Sequence, residues 1–78
     1  MSQLRFTQQE AQRLLGRLVR SLTDLSVVPK GTTGRVVSAE EILSGEFELV
    51  VEWDLHRPGQ PDREYFTRDQ FDRCLVEA

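Results

Sequence analysis

Between Ala11 and Leu25 the apolar residues fall at Ala11, Leu14, Leu15, Leu18, Val19, Leu22 and Leu25, in steps of three and four that wind one face around a helix. The spacing predicts an amphipathic helix over about 8–24, roughly 25 Å long at about 1.5 Å per residue. Its start is marked by Phe6-Thr7-Gln8-Gln9-Glu10. There the Thr hydroxyl can cap an exposed backbone N–H, the Glu can reach back, and the Phe can staple onto the first turn. The same signal returns at Phe66-Thr67-Arg68-Asp69-Gln70. It predicts a short second helix over about 68–76, with Phe71, Cys74 and Leu75 on one side. Gly16 is read as tolerated inside the first helix, at about 1 kcal/mol relative to Ala.

Between the two caps the pattern changes to a period of two. In Phe47-Glu48-Leu49-Val50-Val51-Glu52-Trp53 the alternation sends Phe47, Leu49, Val51 and Trp53 to one face and Glu48, Val50 and Glu52 to the other, which predicts a half-buried antiparallel strand. Pro29-Lys30-Gly31 predicts a tight turn, followed by a β-favouring stretch from Gly34 to Ala39. An acidic connection then runs through Glu40, Glu41 and Gly45, with Ile42 and Leu43 expected to tuck inward. Residues 54–62 contain two prolines and make a long connection to a return strand over 63–66. The fold class expected is α+β in a single domain, 1–78. It has an N-terminal amphipathic helix, a small bent antiparallel sheet or partly open barrel over about 27–66, and a short C-terminal helix.

The run Val28-Pro29-Lys30-Gly31-Thr32-Thr33-Gly34-Arg35-Val36-Val37, followed by the acidic loop and the alternating strand that ends in Trp53, resembles the opening of a Src-homology-3-like small β-barrel. Gly34-Arg35-Val36 matches the Gly-x-Val step of such barrels, and the resemblance covers residues 27–66. It implies a module that binds proteins or nucleic acid and seldom catalyses, although function has to be argued from the site.

Composition narrows the classes. With 38% hydrophobic and 29% charged residues among 78, the chain suits one soluble globular core and not a disordered tail. No apolar run exceeds three residues, so no membrane partner is expected, and residues 1–7 lack a signal-peptide core, which leaves the cytoplasm as the expected location. One Cys and one His offer neither a disulfide nor zinc-ligand spacing, and no cofactor is expected. The net charge of −3 is unevenly spread: residues 1–36 carry six Arg or Lys against two acids, and 37–78 carry four against eleven. Nucleic acid is disfavoured as the main ligand, since a pI near 5.0 supplies no general phosphate-neutralising field.

The candidate chemistry is therefore that of an interaction surface. Arg13, Arg17 and Arg20 would form a basic stripe on the polar side of the predicted helix, where like charges four residues apart repel mildly. Trp53 and the following loop with His56 and Arg57 offer an anchor, and Tyr65 a further contact. Trp53 shares the inward parity of Leu49 and Val51, so its core role competes with that use. For a nucleic-acid-binding barrel, Lys30 and Arg35 would meet phosphate together with the helix arginines. Lys30-Gly31-Thr32-Thr33-Gly34 has its Lys before the glycines and lacks the order of a phosphate-binding loop. Glu52, Asp54 and His56 could share a strand face as metal ligands, but exposed acids beside one His read better as a solvated edge. Cys74 falls on an apolar side, where a thiol is inert. No enzyme is expected. The function expected is a protein-interaction or regulatory module, or a small accessory subunit of a larger bacterial-type complex, acting as a monomer or homodimer. A nucleic-acid-binding barrel is the alternative, and a small-ligand or metal-binding protein the third reading.

Overall fold

A computed structural model describes residues 5–25, 28–55 and 62–78. Both predicted caps form. Helix α1, Gln8–Leu14, begins at an extended Thr7 whose Oγ1 accepts from the Glu10 N–H at 3.2 Å, while the Thr7 N–H donates to Glu10 Oε1 at 3.1 Å. Helix α2, Arg68–Cys74, repeats the arrangement with Thr67 and Gln70. Satisfying N-terminal backbone donors in this way lets helices of only two turns start where the sequence places them.

The helix expected over 8–24 stops at Leu14. Leu15 leaves the helical region at φ −58°, ψ 131°, and Gly16 takes φ +82°, which reverses the chain into strand β1, Leu18–Ser21. Within β1 the buried residues alternate, Val19 and Ser21 inward and Leu18 and Arg20 outward. Steps of three and four in the sequence thus combine a short helix with a strand of period two. The strand prevails because β1 is paired on both sides, so its backbone groups are satisfied by two neighbours.

Strand β2, Thr33–Leu43, runs through the segment read as an acidic connection, and Ile42 and Leu43 are exposed instead of tucked inward. It turns at Ser44-Gly45, with Gly45 at φ +78°, into β3, Glu46–Trp53. Strand β4, Arg63–Phe66, follows, and after α2 the chain ends in a strand, β5, Leu75–Glu77, where helix was expected. The sheet is antiparallel with order β4-β3-β2-β1-β5, and it is open, with β4 and β5 at its edges. Two register shifts in the β2–β3 ladder, at Val36/Ser38 and Glu41/Leu43, bend the long hairpin.

The core lies between one face of the sheet and the helices. It holds Phe6, Ala11 and Leu14, Val19 and Val36, Leu49, Val51 and Trp53, and Phe66, Phe71 and Leu75. Phe6 and Phe71 meet edge to face at 5.6 Å, as do Trp53 and Phe66 at 6.2 Å. Arg68 bridges to Glu10 at 2.6 Å and joins the two helix starts.

Candidate functional site

The surface that stands out runs from the outer face of β1 and β2 past Val37 to the C-terminal end of α1. Val19 and Val36 point into the core, so Leu18, Arg20 and Arg35 point away from it, with Leu18 opposite Arg35 and Arg20 between Thr33 and Val76. The register shift after Val36 makes Val37 the extra residue of the bulge, and two consecutive valines cannot both enter the core from a regular strand. Val37 lines two surface hollows. One, of about 360 Å³, also takes in Leu18, Arg35, Glu52 and Leu55; the other, of similar size, takes in Gln12, Leu15 and Ala39. Leu15, Val37 and Leu18 are thereby linked into a strip, and they are 42%, 38% and 43% exposed.

Cations stand beside this strip: Arg35 lines the same hollow as Leu18 and Val37, Arg20 follows Leu18 on the outer face of β1, and Arg17 is exposed in the turn before it. Among the described residues Arg17, Arg20 and Arg35 form no salt bridge. Arg35 donates from Nη1 to the Gly16 carbonyl at 3.3 Å, which ties β2 to the turn before β1. Glu52, the Cα partner of Arg35, is engaged from the other side by Arg63 Nε at 2.9 Å. At the far end of α1 the Glu10 carboxyl is held below its ordinary pKa, first by the Thr7 backbone N–H and further by the Thr7 hydroxyl and by Arg68 and Arg13.

The predicted site residues divide accordingly. Arg13, Arg17 and Arg20 do not form a helical stripe: Arg13 is in the last turn of α1, Arg17 in the turn and Arg20 on β1. Trp53 is 3% exposed and packs on Phe66, so it takes its core role and presents no anchor. Tyr65 is exposed on the outer face of β4, opposite Val50. Lys30 lies in the turn before β2, where its backbone N–H donates to Asp24 Oδ1 at 2.8 Å. His56 and Arg57 lie outside the described residues, so the loop half of the expected surface and the His of the metal alternative are not placed. Among the described residues no three His, Cys, Asp or Glu side chains gather as a metal site. Cys74 packs against the core. In the sequence Leu15 and Leu18 count to the apolar face of a helix and Val37 to a β-favouring stretch, and none of them is marked as a surface contact. The available signal was the Val36-Val37 pair in an otherwise alternating stretch.

In comparisons with protein-family models, curated proteins and solved structures, nothing matches this chain.

Proposed function

We propose that this chain is a non-enzymatic protein-interaction module that holds an acidic partner on the Leu15–Val37–Leu18 strip. The observation that carries the reading is the strip itself, three large apolar side chains kept at the surface by a bulge and a turn, beside arginines that form no salt bridge among the described residues. The apolar part supplies the desolvated contact, and the arginines steer and orient the partner. This moves the anchor from Trp53 to the strip, because the indole is spent on the core. An open version of the Src-homology-3-like small barrel is the fold proposed, supported by an antiparallel sheet bent at two register shifts. No described helix is long and apolar enough to cross a membrane, and a cytoplasmic setting is proposed with the partner.

Affinity capture with the full chain and with its Arg17→Glu/Arg20→Glu variant, at about 50 mM and about 500 mM salt, tests the reading. An acidic protein retained by the wild type, released by salt and lost in the variant is expected. Equal recovery by both chains would remove the strip from the model. Nuclease-sensitive recovery would replace this reading with the nucleic-acid one, against which stand Glu52 and Asp54 beside Arg35 in the same hollow.

A further inference from the structure

The strip has a chemical counterpart on the same molecule. At the far end of β2, the β2–β3 hairpin carries Ile42 and Leu43, and Leu43 is 63% exposed, more than any other large apolar side chain described. Around them stand Glu40, Glu41, Glu46 and Glu48, none of which forms a salt bridge among the described residues. Glu40 and Glu48 are direct cross-strand partners, an arrangement of like charges that weakens a sheet unless a cation relieves it. The tip thus pairs apolar side chains with anionic ones, and the strip pairs apolar side chains with cationic ones.

The two surfaces cannot meet within one chain. Arg35 and Leu43 are on one hydrogen-bonded strand, separated by roughly 25 Å of contour at about 3.3 Å per residue. The whole body is 36 Å in its longest dimension, so the two patches occupy well-separated parts of it.

We propose that the acidic hairpin tip of one chain seats on the arginine-bordered strip of a second copy, so that the chains associate head to tail. Ile42 and Leu43 enter the Leu15–Val37–Leu18 strip while the glutamates meet Arg17 and Arg20. This rests on the strip being a docking surface, as proposed above, and identifies its occupant. The contact joins two different patches, so it either closes into a ring or continues as an open array.

Sedimentation of the full chain tests it. At about 50 mM salt and protein concentrations rising to about 1 mM, the average mass is expected to climb above the 9.0 kDa of one chain, and to fall back towards it at about 500 mM salt. Two variants reverse one surface each: Arg17→Glu/Arg20→Glu and Glu40→Arg/Glu48→Arg. All four positions except Glu48 are exposed, and circular dichroism confirms that both variants fold before they are used. Each alone is expected to stay monomeric. Mixed one to one they are expected to regain association, because the first retains the native tip and the second the native strip. A monomeric wild type throughout, or a variant that associates as the wild type does, overturns the proposal. A monomeric wild type whose captured partner is still lost in Arg17→Glu/Arg20→Glu overturns head-to-tail association alone and leaves the strip reading standing; capture indifferent to that variant overturns both.

Discussion

Gly16 holds φ at +82° with nothing within 4 Å of the place a Cβ would take, whereas a Cβ at Gly34 would lie 2.8 Å from both Trp53 Cε3 and Val51 Cγ1. The first glycine is required by backbone angle and the second by the close approach of two core side chains. Gly16→Ala is therefore expected to cost about 1–2 kcal/mol of left-handed strain, and Gly34→Ala to cost about 1–3 kcal/mol of overpacking. Urea unfolding of the two variants checks both values, and a repacked Trp53 should change its fluorescence only in the second. Ser21 supports the same region. Its hydroxyl donates to the Pro29 carbonyl at 2.9 Å and accepts from the Thr32 N–H at 3.2 Å, and the side chain is buried. Ser21→Ala should lose about 1 kcal/mol by the same measurement, because two part-buried hydrogen bonds are given up while the Pro29 carbonyl still accepts from the Thr32 N–H and hydroxyl. Glu10 contributes to the response to acid. Its folded-state pKa lies below the unfolded one, so its contribution is complete above the ordinary glutamate range near about 4.3 and is lost as pH falls through that range to the folded value. The α2 cap has a neutral Gln70 in the same position and does not titrate. Glu10→Gln should flatten the acid limb of stability against pH while leaving a cap in place.

At the scale of elements, the two capping boxes are more than separate helix starts. Glu10 accepts from the Thr7 N–H and also receives Arg68, the first residue of α2. Thr7→Ala and Thr67→Ala should each cost about 1 kcal/mol, and the double variant should depart from their sum because the caps share that ion pair. A thermal double-mutant cycle reads the coupling. Both caps were legible in the sequence, since four residues at fixed offsets specify them. So was β3, whose alternation from Phe47 to Trp53 puts Leu49, Val51 and Trp53 in the core. The length of α1 was not. Leu14, Leu18 and Leu22 satisfy helical spacing, but Leu18 and Leu22 are exposed, and only Gly16 marked the break. Strand β5 was hidden for a different reason. Three residues carry too little period, and Leu75 fits the apolar side of a helix as well as the inward face of a strand. The candidate surface was legible as charge and not as shape. The arginines were visible, but their setting depends on a turn and a bulge that only pairing reveals.

At the scale of the molecule, β1 links two parts of the sheet, with β2 along one side and β5 along the other. Leu75 fills the core beside Phe71, and the Leu22 N–H donates to the Cys74 carbonyl at 2.7 Å. A chain ending at Cys74 would strip one side of β1 and empty the Leu75 site, and it is expected to lose its cooperative thermal transition, as followed by circular dichroism. The same arrangement governs folding. Val19 is paired with Gly34 on one side and with Glu77 on the other, so the second flank of β1 is completed by residues far away in the sequence. During folding the flank of β1 that β5 covers stays open until that distant segment docks. The long β2–β3 hairpin can close meanwhile, because its partners are local. Closing the sheet through β5 is therefore the slow step of folding, and the flank of β1 that waits for it is the edge on which a stray strand would pair.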